Sequence, residues 1–158
     1  MNHILPVELT QGATQAGKEY AWSIASFPSA LATAPSLGYA CLGGQFQFRF
    51  SDQSIFEFYW LEANSSDKKD PETWESYAQR SCGEVLAEFN RLLQVTDFKP
   101  EAQKFESLGL LIDAESSYLD CLVFNAYFIS EADLLNLDSE ISNGRKALRK
   151  ISKGLCTS

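Results

Sequence analysis

The sequence predicts an α+β fold: a single domain whose antiparallel sheet is built on an aromatic hairpin, with helices mostly on one face. Three stretches carry that reading. Phe46, Phe48 and Phe50, then Phe56, Phe58 and Trp60, take every second position on either side of a turn-forming cluster, Ser51-Asp52-Gln53-Ser54. A period of two puts each set of rings on one face of a strand. Trp74, Tyr77, Ala78, Cys82, Val85, Leu86, Phe89 and Leu93 recur at spacings of three and four, the stripe of an amphipathic helix. Leu119 to Ile129 is apolar on both parities, as a central strand buried on both faces is. The order β-α-β-β-α-α-β-α then gives an antiparallel sheet with helices laid against it.

The hairpin register follows from parity. The rings share a face only if paired residue numbers sum to an even number, because a one-residue slip turns a whole set over. A sum of 104 needs a three-residue loop, which favours a left-handed Gly that this turn lacks. A sum of 106 pairs Phe50 with Phe56, Phe48 with Phe58 and Phe46 with Trp60, and sets Arg49 opposite Glu57. That charge pair favours the second register.

In chain order, Ile4–Leu9 reads as a weak strand, and residues 1–17 as a mobile end. Tyr20, Trp22 and Ile24 alternate, so Glu19–Ala25 is a strand. Ser26 caps a short helix with Pro28 in its first turn, stopped by Pro35 and Gly38. Gly43-Gly44 before the Phe ladder marks a bulge or a close backbone approach. Asp70-Pro71-Glu72 reads as the start of the long helix: a capping carboxylate, Pro at the first position, negative charge at the positive dipole end. That helix runs to Val95. Pro100–Leu108 is a short helix closed by Gly109. Leu110–Ile112 is apolar and has no clear element. Ser130 with Asp133 resembles a capping box, opening a last helix with a break at Asn136–Asp138 and an apolar stripe of Ile141, Leu148 and Ile151.

Composition narrows the function. A chain of 158 residues is long enough for one real core, and 45% hydrophobic residues against 22% charged places it among globular proteins. A net charge of -8 disfavours nucleic acid and anionic membranes as partners, since Lys and Arg supply most phosphate affinity. The charge is uneven. Residues 139–158 carry five basic residues against Glu140, a balance of +4, and the preceding 138 residues balance to −12. Cations near the end of a last helix complement its dipole, and they could also form a contact surface. Cys41, Cys82, Cys121 and Cys156 have no CxxC spacing. With no leader-like or membrane-spanning segment visible, they read as free thiols in a cytoplasmic protein, the first three in the core and Cys156 exposed.

Chemistry is sparse. His3 is the only histidine, which removes His-based triads and metal sites from the body of the chain. No nucleotide fingerprint, nucleophile elbow or metal spacing is present, so no cofactor is expected. Glu57 and Glu62 are the one carboxylate pair on the hairpin, and a spacing of five puts them on opposite faces of a regular strand.

The leading expectation is therefore a protein-interaction module with a protein partner, a basic one matching its charge; a homodimer is the other form considered. Immunity proteins that neutralise a toxin and secretion chaperones that hold an effector are small, acidic proteins of this kind, though no motif assigns the chain to either. The expected contact residues are Glu57, Tyr59 and Glu62 on the hairpin and Asp67, Asp70, Glu72 and Glu75 around the helix start. The alternatives are a small-molecule binder with an aromatic pocket of Phe46, Phe58, Trp60 and Trp74, or an enzyme of unrecognised class.

Overall fold

The computed structural model describes residues 4–105 and 118–139. The chain forms two compact units, residues 1–128 and 129–158. The first holds the sheet, apart from the last residues of its final strand, and the core. The fold is α+β. Five strands, β1 (Ala13–Ala16), β2 (Glu19–Ser23), β3 (Tyr39–Arg49), β4 (Ile55–Asn64) and β5 (Leu122–Ser130), form an antiparallel sheet in the order β1-β2-β5-β3-β4. Among the described residues of the first unit, three α-helices accompany them: α1 (Phe27–Thr33), α2 (Trp74–Val95) and α3 (Phe98–Gln103). Each contributes a phenylalanine to one aromatic cluster. Phe27 lies 5.0 Å from Phe89, Phe89 lies 5.4 Å from Phe46, and Phe98 lies 5.0 Å from Phe46 between ring centroids. Phe124 of β5 meets Phe27, Phe46 and Phe89. All three helices thus cover the Phe46 face of the sheet, as the aromatic alternation predicts, and β5 takes the central position expected of its doubly apolar run.

Several details depart from expectation. The hairpin register with sum 106 is not adopted. Phe48 pairs with Phe56, Phe46 with Phe58, Gln47 with Glu57 and Arg49 with Ile55. The three-residue loop closes without glycine because Gln53 takes the left-handed conformation, φ +71°. Phe50 N–H donates to Ser54 O and Gln53 N–H to Phe50 O, both at 3.0 Å. Beyond Phe46 the ladder jumps, so that Gln45 pairs with Glu62 and Gly44 with Ala63. Tyr59, Trp60 and Leu61 therefore have no partners on β3. Such a bulge reverses side-chain parity. Leu61 and Ala63 turn into the core, and Trp60 is 44% exposed.

The glycine pair does mark a close approach. A Cβ on Gly44 would sit 1.8 Å from Asn125 O, and Gly43 has φ +126° against Asn64.

The amino-terminal segment is anchored instead of forming a strand at Ile4–Leu9. Leu5 and Leu9 are buried, and Trp22 Nε1 donates to Leu9 O at 2.8 Å. The long helix starts at Trp74, not at Asp70. Thr73 is its cap and accepts from Ser76 N at 3.1 Å, while Glu72 N closes a turn onto Lys69 O. α3 begins at Phe98, before Pro100, whose missing N–H falls among donors a first turn leaves unpaired anyway. In the second unit Asp133 N–H donates to Ser130 Oγ at 3.3 Å, as a capping serine requires. Residues 131–139 are helical without the break expected at Asn136–Asp138. The undecided run Leu110–Ile112, the basic segment and Cys156 lie outside the described residues. No helix among the described residues is long and apolar enough to cross a membrane.

Candidate functional site

β4 is an edge strand of the sheet, and its bulge builds the most prominent exposed aromatic group among the described residues. Tyr59 is 62% exposed, and its ring lies 5.9 Å from Trp60. Trp60 stacks on Phe105, just beyond α3, and Phe105 also meets Phe56 at 4.9 Å. Trp60 Nε1 donates to Glu101 Oε2 at 3.3 Å, an oxygen that also accepts from Lys104 Nζ at 2.9 Å. Glu62 is exposed and accepts from Asn64 Nδ2 at 2.8 Å. The edge therefore presents three rings with carboxylates beside them. Exposed aromatic groups of this kind are where interface energy concentrates.

The other expected contact residues sit in a separate network. Arg80 on α2 holds Glu72 with two hydrogen bonds, Nε to Oε2 at 2.7 Å and Nη2 to Oε1 at 2.9 Å. Arg80 Nη1 also reaches Glu84 Oε1 at 2.9 Å and Ser66 Oγ at 2.7 Å, and Nη2 reaches Asp67 O at 3.0 Å. Arg80 thereby holds the Glu72 carboxyl down to about 2. The Ser66 amide, first of all, lowers Glu84. This network organises the loop from β4 to α2. Glu72 is engaged inside it, while the side chains of Asp67, Asp70 and Glu75 are exposed. No hydrogen bond or ion pair among the described residues joins these acids to Glu57, Tyr59 or Glu62.

None of the four residues expected to line an aromatic pocket borders the three cavities that the described residues enclose. Phe46 and Phe58 are 0% exposed within the core. Trp60 lies outside it, and Trp74 Nε1 donates to Gly38 O at 2.9 Å. A cavity of about 700 Å³ opens elsewhere, between the end of β2 and the α2–α3 junction, with Ile24, Leu93, Phe98 and Leu122 on its wall.

The sheet face turned away from the helices carries a polar cluster. Gln47 is 0% and Asn125 1% exposed. Gln47 Nε2 donates to Glu57 Oε1 and Gln47 Oε1 accepts from Arg49 Nε, both at 3.2 Å. Arg49 Nη1 donates to Thr14 O at 3.1 Å and Thr14 Oγ1 at 3.0 Å. Asn125 Nδ2 donates to Glu19 Oε2 at 3.4 Å, and Tyr127 OH donates to Glu19 Oε1 at 2.8 Å. β2 and β5 stand between β1 and β3, so a flat sheet would hold Thr14 and Arg49 about 14 Å apart across the strands. Their contact requires the sheet to curl toward this face. Burial lowers the pKa of Arg49 against the pull of Glu19 and Glu57. Burial, then the bond to Glu19, pushes Tyr127 up to about 12.

Glu57 thus belongs to this cluster, bonded to Gln47 instead of facing Arg49. Sequence reasoning missed Glu19, Asn125 and Tyr127, which no local spacing connects, and Phe105. It also missed Arg80, although the Arg80–Glu84 spacing of four is a legible helix pair. No protein-family model, no curated protein and no solved structure matches the chain.

Proposed function

We propose that this chain is a protein-interaction module that engages a basic protein partner through the bulged edge of β4. The observation that carries the reading is the expulsion of Tyr59 and Trp60 from the ladder. A core strand would keep such rings inside. Here they are held out, and stacking on Phe105 keeps Trp60 ordered before any partner arrives, which lowers the entropy lost on binding. The charge of -8 and the exposed carboxylate of Glu62 favour a cationic partner, with an arginine or lysine placed over the indole. A toxin neutralised by this protein, or an effector sheltered by it, meets that description.

The test is capture from the native lysate with tagged protein at low and at raised salt. The reading expects one stoichiometric protein, basic in composition, released as salt rises. Recovery of the bait alone under both conditions would count against it.

A further inference from the structure

The cavity of about 700 Å³ between the end of β2 and the α2–α3 junction plays no part in the interaction reading. Its size falls among sites for small molecules, about 300–1,000 Å³. Its apolar wall comes from Ile24, Leu93, Phe98, Leu119 and Leu122. Phe98 and Leu122 are buried, and Phe98 packs on both Phe46 and Phe58, so this part of the wall is fixed by the aromatic core. A wall held in place before a ligand arrives loses little freedom on binding.

The charged part of the lining has one sign. Asp97 and Asp120 both border the cavity, and no lysine, arginine or histidine is among its lining residues. Asp97 stands at the cap position of α3, yet its side chain makes no cap bond. Neither carboxylate has a hydrogen bond or ion pair among the described residues. Both residues are exposed, so a cation beside them keeps part of its hydration and avoids the cost of full burial. An apolar body therefore matches the wall and a cationic head the carboxylates. A fatty acid matches the wall but meets like charge at Asp97 and Asp120, and a neutral hydrophobe gains nothing from them.

We propose that this cavity binds a small amine, whose hydrocarbon or aromatic body sits on the apolar wall and whose ammonium is drawn by the carboxylates of Asp97 and Asp120. The cavity shares no residue with the exposed rings at the β4 edge or with Glu62, so either reading stands if the other fails.

The test follows the methyl NMR signals of Ile24, Leu93 and Leu122 in full-length protein as 4-phenylbutylamine is added. 4-Phenylbutanol and 4-phenylbutyrate carry the same body with a neutral and an anionic head. The amine is expected to shift these signals saturably and to bind about tenfold more tightly than the butyrate, with the alcohol between them, the modest gap that exposed charges give. Joint substitution Asp97→Asn and Asp120→Asn is expected to bring the amine down to the affinity of the alcohol. Asparagine caps a helix as well as aspartate does, so α3 keeps its start. The wild-type comparison decides the matter even if the variant does not fold. Signals unmoved by the amine overturn the proposal. So does a butyrate bound as tightly as the amine, the mark of a merely apolar hollow.

Discussion

Trp60 stacks on Phe105 with ring centroids 6.1 Å apart and planes inclined by 30°, and the two rings remain 44% and 41% exposed. The pair exists because β4 carries three residues for which β3 offers no partner. Phe46, by contrast, is 0% exposed in the same sheet. The two aromatic positions should therefore differ in what they do for stability. Phe46→Ala is expected to cost about 3–5 kcal/mol, the range for a buried ring. Trp60→Ala is expected to cost about 1 kcal/mol, since much of its surface stays in water. Urea denaturation of both variants checks this, and equal losses would show that Trp60 is a core residue.

The hairpin turn carries a local cost. Gln53 holds φ +71°, a conformation that costs a residue with a Cβ about 1 kcal/mol or more. Gln53→Gly removes that cost but loosens the unfolded chain. The balance predicts a gain of about 0.5 kcal/mol, read as a higher denaturation midpoint at unchanged slope. A lower midpoint would contradict the three-residue loop and its register.

Gly44 tests the approach of β3 to β5. A Cβ there would meet Asn125 O at 1.8 Å and Ala126 Cα at 2.8 Å. These are backbone atoms that no rotamer change can move. Gly44→Ala is expected to destabilise by about 3 kcal/mol or more. Gly17→Ala is a useful contrast: a Cβ there meets nothing within 4 Å, although its φ of +63° still carries strain. A Gly44→Ala protein as stable as the wild type would place β5 elsewhere.

The loop before α2 should respond to acid. Arg80 lowers the folded pKa of Glu72 from the ordinary 4.5 to about 2. A depressed carboxylate contributes stability that is fully present above the unfolded value and is lost as pH falls through the folded one. Stability should therefore drop between about pH 4.5 and pH 2, and Glu72→Gln should flatten that part of the profile. Hydrogen exchange at the Ser66 and Lys69 amides, which bond to Glu84 and Glu72, reports the same loosening locally. A variant with an unchanged acid profile would remove Glu72 from the account.

The sequence disclosed the parts of this fold that rest on local periodicity. The Phe ladder, the stripe of α2 and the central strand are each written within one stretch of chain. What stayed hidden depends on distant partners. Leu9 is fixed by the Trp22 indole, 13 residues away. Parity could not foresee the bulge, because alternation in β4 continues through Trp60 while the ladder does not. Glu19 and Tyr127 bond across 108 residues, and only the β2–β5 pairing brings them together. The exposed rings of the candidate contact surface are thus visible in the sequence as residues, but their exposure is not.

The most direct measurement compares wild type, Trp60→Ala and Glu75→Lys as baits in the same lysate at low salt. Trp60 lies at the bulged edge, and Glu75 lies in the first turn of α2 with its side chain exposed. The account predicts that wild type and Glu75→Lys recover the same basic protein and that Trp60→Ala, still folded, loses it. A partner kept by Trp60→Ala, whether or not Glu75→Lys loses it, would contradict the assignment of the contact to the β4 edge.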